Sequence, residues 1–203
     1  MRARLSRTGF SLLELMMVIA VMAIFTAALI PWAESTSHDT MIAAAQNVAT
    51  DLAYARSLAV SNNSNYVVRF NKDNNRYILE HSGSNAALDT LPDSVFRNAD
   101  DPPNKHIVKL DELPGIGEPV ELVGVFRAAD TPESIENIEF GPLGETTETS
   151  PSIVLIKLGT KSRLRHALIV VNPITGLATV YPYSENLPSD IPTTVVEQIT
   201  DML

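Results

Sequence analysis

The longest apolar stretch of the chain is GFSLLELMMVIAVMAIFTAALIPW, Gly9 to Trp32, and it follows a short leader, MRARLSRTG. From Leu15 to Ala33 no side chain is charged. At about 1.5 Å rise per helical residue, that run is just long enough to cross roughly 30 Å of hydrocarbon. The pattern predicts a membrane-inserted helix, with Trp32 an aromatic of the interfacial type. Arg2, Arg4 and Arg7 precede it and no basic residue follows it closely. That asymmetry predicts a cytoplasmic amino terminus and everything downstream across the membrane.

After the polar stretch ESTSHDT the period returns: Met41, Ala45, Val48, Leu52, Ala55 and Ala59 recur at steps of four and three. This is one apolar helical face, and its small side chains let a partner layer approach closely. Asn62 and Asn63 are the terminators. The spacing predicts one long helix from about Phe10 to about Ser61. Beyond it, β-rich runs replace the helical period. Tyr66–Phe70 and Arg76–Glu80 flank the polar hairpin loop NKDNN. Ile107–Leu110, Val120–Phe126, Ile135–Phe140, Ser152–Leu158, His166–Asn172 and Leu177–Tyr183 are the further strands. The interval from His81 to Asn104 reads as a surface insertion of low order.

Helical crossovers of useful length are lacking between these strands, which argues against a parallel sheet. The fold class is therefore α+β: a long N-terminal α-helix, its first half transmembrane, packed on a C-terminal antiparallel β-sandwich or curled sheet. The expected segments are a leader at 1–9, a transmembrane half-helix at 10–33, an amphipathic half at 34–62, a β-rich domain at 63–183 and a tail at 184–203. The tail ends in VVEQITDML, which suits either a short docking helix or disorder.

Glu14 stands at the mouth of the apolar run. A carboxylate drawn into hydrocarbon costs about 2.5 kcal/mol or more without a partner. A place in the headgroup layer is one account of it. Its company gives another, since Gly9 and Phe10 precede it and the apolar helix follows. This segment resembles the class III signal segment of type IV prepilins and pseudopilins. The resemblance implies that a prepilin peptidase cuts after Gly9, that Phe10 becomes an N-methylated amino terminus, and that Glu14 pairs with the free amine of a neighbouring subunit during assembly. A buried charge survives best beside an opposite one, so the chemistry is coherent. An ordinary secretory signal would place its small-residue site after the apolar region, where Ala23, Ala27 and Ala28 offer a weaker rival. Pro31 matches the helix-kinking proline that many family members carry.

Three further stretches resemble the GspH/FimT branch of these proteins: LAYARSLAVSNNS, IEFGPLGETTE with its F-x-P-x-G-like turn at Phe140 to Gly144, and HALIVVNPITGLATVY. Gly144 and Gly176 suit turns that need positive φ. The region from about Gly83 to Ala129 carries no such likeness. The family resemblance implies a structural subunit of a type II secretion or type IV pilus system, without enzymatic activity or cofactor. Its implied partners are other pilins or pseudopilins, the prepilin peptidase, the inner membrane and secreted cargo. Its implied location is the bacterial inner membrane, single-pass, with the C-terminal domain periplasmic.

Composition narrows the rest. With 203 residues the chain has room for one modest domain beyond the membrane helix. Its formal charge of -9 includes the three leader arginines, so loss of the leader leaves -12, a poor prior for general nucleic-acid binding. Cysteine is absent, which excludes disulfides and thiol catalysis. His38, His81, His106 and His166 form no ligand pair at helical spacing and read as surface or loop histidines. No H-E-x-x-H, G-x-S-x-G, phosphate-loop or dinucleotide motif is present. NKDNN and NADDP hold the oxygen-bearing residues that calcium uses, without the EF-hand spacing, and no metal is assigned. KSRLRH sets Lys161, Arg163 and Arg165 beside His166 on this acidic chain. Some FimT-like minor pilins associated with DNA uptake carry such residues, so a phosphate contact is one reading. A solvated strand edge gives the same charges, no aromatics interleave for base stacking, and that is the reading adopted.

Overall fold

The computed structural model describes residues 11–92, 101–113, 115–116, 119–129, 132–158 and 165–182, with backbone alone for 26–38, 165 and 182. The expectations for the leader, Gly9, Phe10 and the tail beyond residue 182 fall outside these residues. Two compact units make up the chain, Met1–His38 and Asp39–Leu203. Helix α1, Leu12–Asn62, contributes to both, and its helical backbone passes through Pro31.

In the second unit α1 buries the alanine-rich face that the sequence spacing marks. Met41, Ala45, Val48, Leu52, Ala55 and Ala59 are all buried, joined by Ala44 and Leu58. The helix stops where Asn63 turns left-handed at φ 46° and Ser64 N–H donates to Ala59 C=O at 3.1 Å. Asn tolerates that conformation better than most side chains.

Among the described residues nine strands follow: β1 Tyr66–Asn71, β2 Arg76–His81, β3 His106–Lys109, β4 Val120–Arg127, β5 Glu133–Ser134, β6 Asn137–Phe140, β7 Ser152–Leu158, β8 Arg165–Val171 and β9 Ala178–Pro182. They form two antiparallel sheets, ordered β3-β2-β1-β6 and β5-β4-β7-β8-β9. Every second residue of the first sheet, including Tyr66, Val68, Phe70 and Phe140, meets the helix face and the inner residues of the second sheet in one core. Strand β7 is buried on both faces, because Val154 and Ile156 join that core while Ile153 and Leu155 pack with Phe126 and Leu168 in a second cluster.

Two expectations change. The run Ile135–Phe140 is not one strand: Ile135 N–H bonds Val125 C=O at 2.9 Å, while Glu136 C=O accepts from Phe70 N–H at 2.7 Å. The chain changes sheets between those two residues, so β5 and β6 belong to different sheets. Residues 82–92, the first described part of the interval after His81, are also more ordered than a solvated insertion. A 3-10 turn at Ala86–Leu88 is capped by Asn85, and Leu91 is buried in the core.

Candidate functional site

At the amino-terminal end, Ser11 starts α1. Its hydroxyl accepts the Glu14 N–H at 3.2 Å, and its carbonyl accepts from Glu14 and Leu15. A serine three residues before an acid is a capping signature, and this role for Ser11 was readable from the S-x-x-E spacing. Glu14 thus lies in the first helical turn, where the helix dipole favours a negative charge. From Leu12 to Phe25 the helix exposes apolar side chains on every side, Leu12, Leu13, Met16, Met22 and Ile24 among them. An all-round apolar helix is stable only inside a bilayer or among other helices. Among the described residues no helix is long and apolar enough to cross a membrane; side chains of the Leu15–Ala33 run are described only as far as Phe25.

The second unit carries a clasp that joins three distant segments. The turn Gly141–Gly144 closes with Gly144 N–H on Gly141 C=O at 2.9 Å, and Gly144 has φ 86°. Asn172 shapes the other turn, its Oδ1 accepting from Ile174 N–H and Thr175 N–H at 3.0 Å each. Gly176 has φ 62°, and a Cβ there would lie 2.0 Å from the Gly144 carbonyl oxygen. The two turns therefore touch only because residue 176 is glycine. From α1, Arg56 Nε donates to Gly144 C=O at 3.1 Å and Thr175 C=O at 2.7 Å. Around this clasp Leu143, Ile174 and Leu177 stand exposed on the turns, and Val60 is exposed one helical turn on from Arg56.

A polar cluster lies where α1 meets the first sheet. Tyr77 Oη donates to Asp51 Oδ2 at 2.5 Å, and His106 Nε2 lies 4.0 Å from the same oxygen. Burial pushes the Asp51 carboxyl above its ordinary 3.8, against the Tyr77 hydrogen bond and the His106 charge, which pull it down. Burial, the Asp51 charge and their hydrogen bond together push Tyr77 well above its ordinary value.

Two histidines therefore depart from the surface reading. The His81 side chain is 1% exposed and His106 is buried. His81 Nε2 is 2.8 Å from Ser64 Oγ and its Nδ1 is 2.8 Å from Asp89 Oδ1. His166 is half-buried in β8, and burial, then the Lys157 charge, holds it below its ordinary range. His38 lies beyond the described side chains.

The loop NKDNN uses its asparagines structurally. Asn71 Oδ1 accepts from Asn74 N–H at 2.9 Å; Asn75, at φ 47°, donates to Val120 C=O and accepts from Leu122 N–H. It ties the β1–β2 hairpin to the second sheet. Among the described residues no group of three or more His, Cys, Asp or Glu side chains could hold a metal ion. Lys161 and Arg163 fall outside the described residues, and Arg165 opens β8 opposite Leu158 with only its backbone described.

The sequence compares with known proteins as follows. Residues 4–30 match the prokaryotic N-terminal methylation motif, and residues 44–175 match the model of the type II transport protein GspH. No curated protein sequence matches the chain. Among solved structures, the minor pseudopilin EpsH from the type 2 secretion system of Vibrio cholerae is similar at 15% identity and a TM-score of 0.43, over 72% of this chain and 98% of that one. The type IV minor pilin FimU of Pseudomonas aeruginosa is similar at 16% identity and a TM-score of 0.40, over 72% of this chain and 96% of that one. With the GspH match spanning more than half of its length and the methylation motif lying ahead of it, the chain belongs to the GspH family of type II transport proteins, the pilin-like minor pseudopilins.

Proposed function

We propose that this chain is a minor pseudopilin or minor pilin, made as a prepilin, cleaved after Gly9 and N-methylated on Phe10. It is held in the inner membrane by one span, with its amino terminus cytoplasmic and its β domain periplasmic. From there it enters a short filament of a type II secretion or type IV pilus system. The observation that carries this reading is the helix from Leu12 to Phe25, apolar and exposed on every side. At roughly 25 cal/mol per Å² of apolar surface, leaving such a helix in water is untenable, and a bilayer followed by neighbouring helices covers it in turn.

Glu14 gives the transfer its direction. Cleavage after Gly9 frees an amine on Phe10, and the Glu14 carboxylate of an adjacent subunit is its counter-charge once both leave the headgroup layer. The exposed Leu143, Ile174 and Leu177 supply apolar surface for contacts between the β domain and other pilin subunits. The DNA reading of Lys161, Arg163 and Arg165 is not part of this proposal.

The test is incorporation of Glu14→Ala and Glu14→Gln chains into sheared filaments in cells. Removing one partner of a buried pair costs about 3–5 kcal/mol, so incorporation should fall at least about tenfold for both. Equal incorporation of either variant contradicts the electrostatic part of the proposal.

A further inference from the structure

Where α1 ends, the chain sets three side chains in a line. Ser64 Oγ lies 2.8 Å from His81 Nε2, and His81 Nδ1 lies 2.8 Å from Asp89 Oδ1. The imidazole has almost no freedom: its side chain is 1% exposed, and its ring meets the Tyr66 ring edge-on at 5.0 Å between centroids. Asp89 closes the Ala86–Leu88 turn, its N–H donating to Ala86 C=O. A carboxylate only accepts, so in the neutral imidazole Nδ1 carries the proton facing Asp89 and the Nε2 lone pair faces the Ser64 hydroxyl. Nucleophile, base and orienting acid then stand in the order that serine acyl transfer requires, which geometry and not chain order defines.

Gly83 completes the arrangement. A Cβ at that residue would lie 2.1 Å from Ser64 Oγ, 2.8 Å from His81 Nε2 and 3.2 Å from Asn65 N. Hydroxyl, imidazole nitrogen and the backbone nitrogen after the serine therefore pack directly against Gly83, and a side chain there would push the Ser64–His81 hydrogen bond apart. The N–H of the residue following the nucleophile is a recurrent donor to the oxyanion of acyl transfer.

We propose that Ser64 is an activated nucleophile that takes acyl groups from small carboxylic esters, with His81 as the base and Asp89 as a positioning residue. Ser64 Oγ attacks the ester carbonyl carbon while its proton passes to His81 Nε2, and the tetrahedral oxyanion forms beside Asn65 N. Collapse breaks the ester C–O bond, and the leaving oxygen takes the proton from His81 and departs as the alcohol. Water then attacks the acyl-Ser64 carbonyl, giving a proton to His81. That proton returns to Ser64 Oγ as the carboxylic acid leaves. Ser64 is partly exposed among exposed neighbours, Ser82 and Ser84 included, so the substrate class is a small ester and not a peptide that needs a cleft. The site shares no residue with the Leu12–Phe25 segment and is separate from the assembly role.

The full-length chain in detergent micelles is treated with 4-nitrophenyl acetate and with a fluorophosphonate probe, and the modified peptide is mapped. Label should fall on Ser64, vanish in Ser64→Ala, and slow by about 10²-fold or more in His81→Gln. Asp89→Asn should lower the limiting rate of labelling without changing the probe concentration that half-saturates it, which separates positioning from general loss of structure. Gly83→Ala should displace Ser64 Oγ and slow labelling, with thermal unfolding read beside it; Asp89→Asn, at a side chain 55% exposed, decides the matter if His81→Gln or Gly83→Ala fails to fold. Label spread over several serines, or a Ser64 rate unmoved by Gly83→Ala and Asp89→Asn, would show an inert hydrogen-bonded chain and overturn the proposal.

Discussion

Asp51 is an acid placed where folding makes its charge costly. Burial raises its carboxyl above 3.8, so the folded chain holds that proton more firmly than the unfolded one. Its contribution to stability is complete below 3.8 and is lost as the pH rises through the raised value. Asp51→Asn keeps an acceptor for Tyr77 Oη and removes the titration. Urea unfolding between about pH 3 and pH 7 should show a decline in stability with rising pH for the unaltered chain and a flatter profile for the variant. A variant that declines as steeply assigns the slope elsewhere. The periodicity of α1 did not mark Asp51 as special, because it sits one residue before Leu52 on the flank of the apolar stripe. Its partners, Tyr77 and His106, come from β2 and β3.

Among the elements, the helix and the two glycine turns are the joint on which the β domain depends. The residues of the α1 face were legible because 3.6-residue periodicity leaves a signature in the letters. Gly144 and Gly176 were legible as turn residues because such turns need a positive φ, which both have. Arg56 was not, since its acceptors are backbone carbonyls 88 and 119 residues away. Sheet membership was hidden as well: nothing between Ile135 and Glu136 announces that one bonds β4 and the other β1. Gly176→Ala should cost more than about 2 kcal/mol, combining a left-handed backbone with a collision against the Gly144 carbonyl. Arg56→Met, which keeps the stem and loses both hydrogen bonds, should cost about 2 kcal/mol. Paired denaturant melts check this, and near-additive losses in the double variant would contradict a shared joint, where coupling is expected.

For the molecule as a whole, an acidic β domain and an apolar amino-terminal helix ask for different surroundings. The chain's formal charge of -9 favours a well-solvated surface, whereas residues Leu12–Phe25 require a hydrocarbon or helical environment. The role proposed above would reconcile them by time as well as place, first in the bilayer and then in a filament. Its most direct test is the identity of the mature amino terminus. The full chain is co-expressed with a prepilin peptidase, recovered from membranes and sequenced by mass spectrometry. The account predicts a chain that begins at Phe10 carrying one N-methyl group. A chain that keeps its leader, or one that begins late in the apolar run near Ala28, contradicts it.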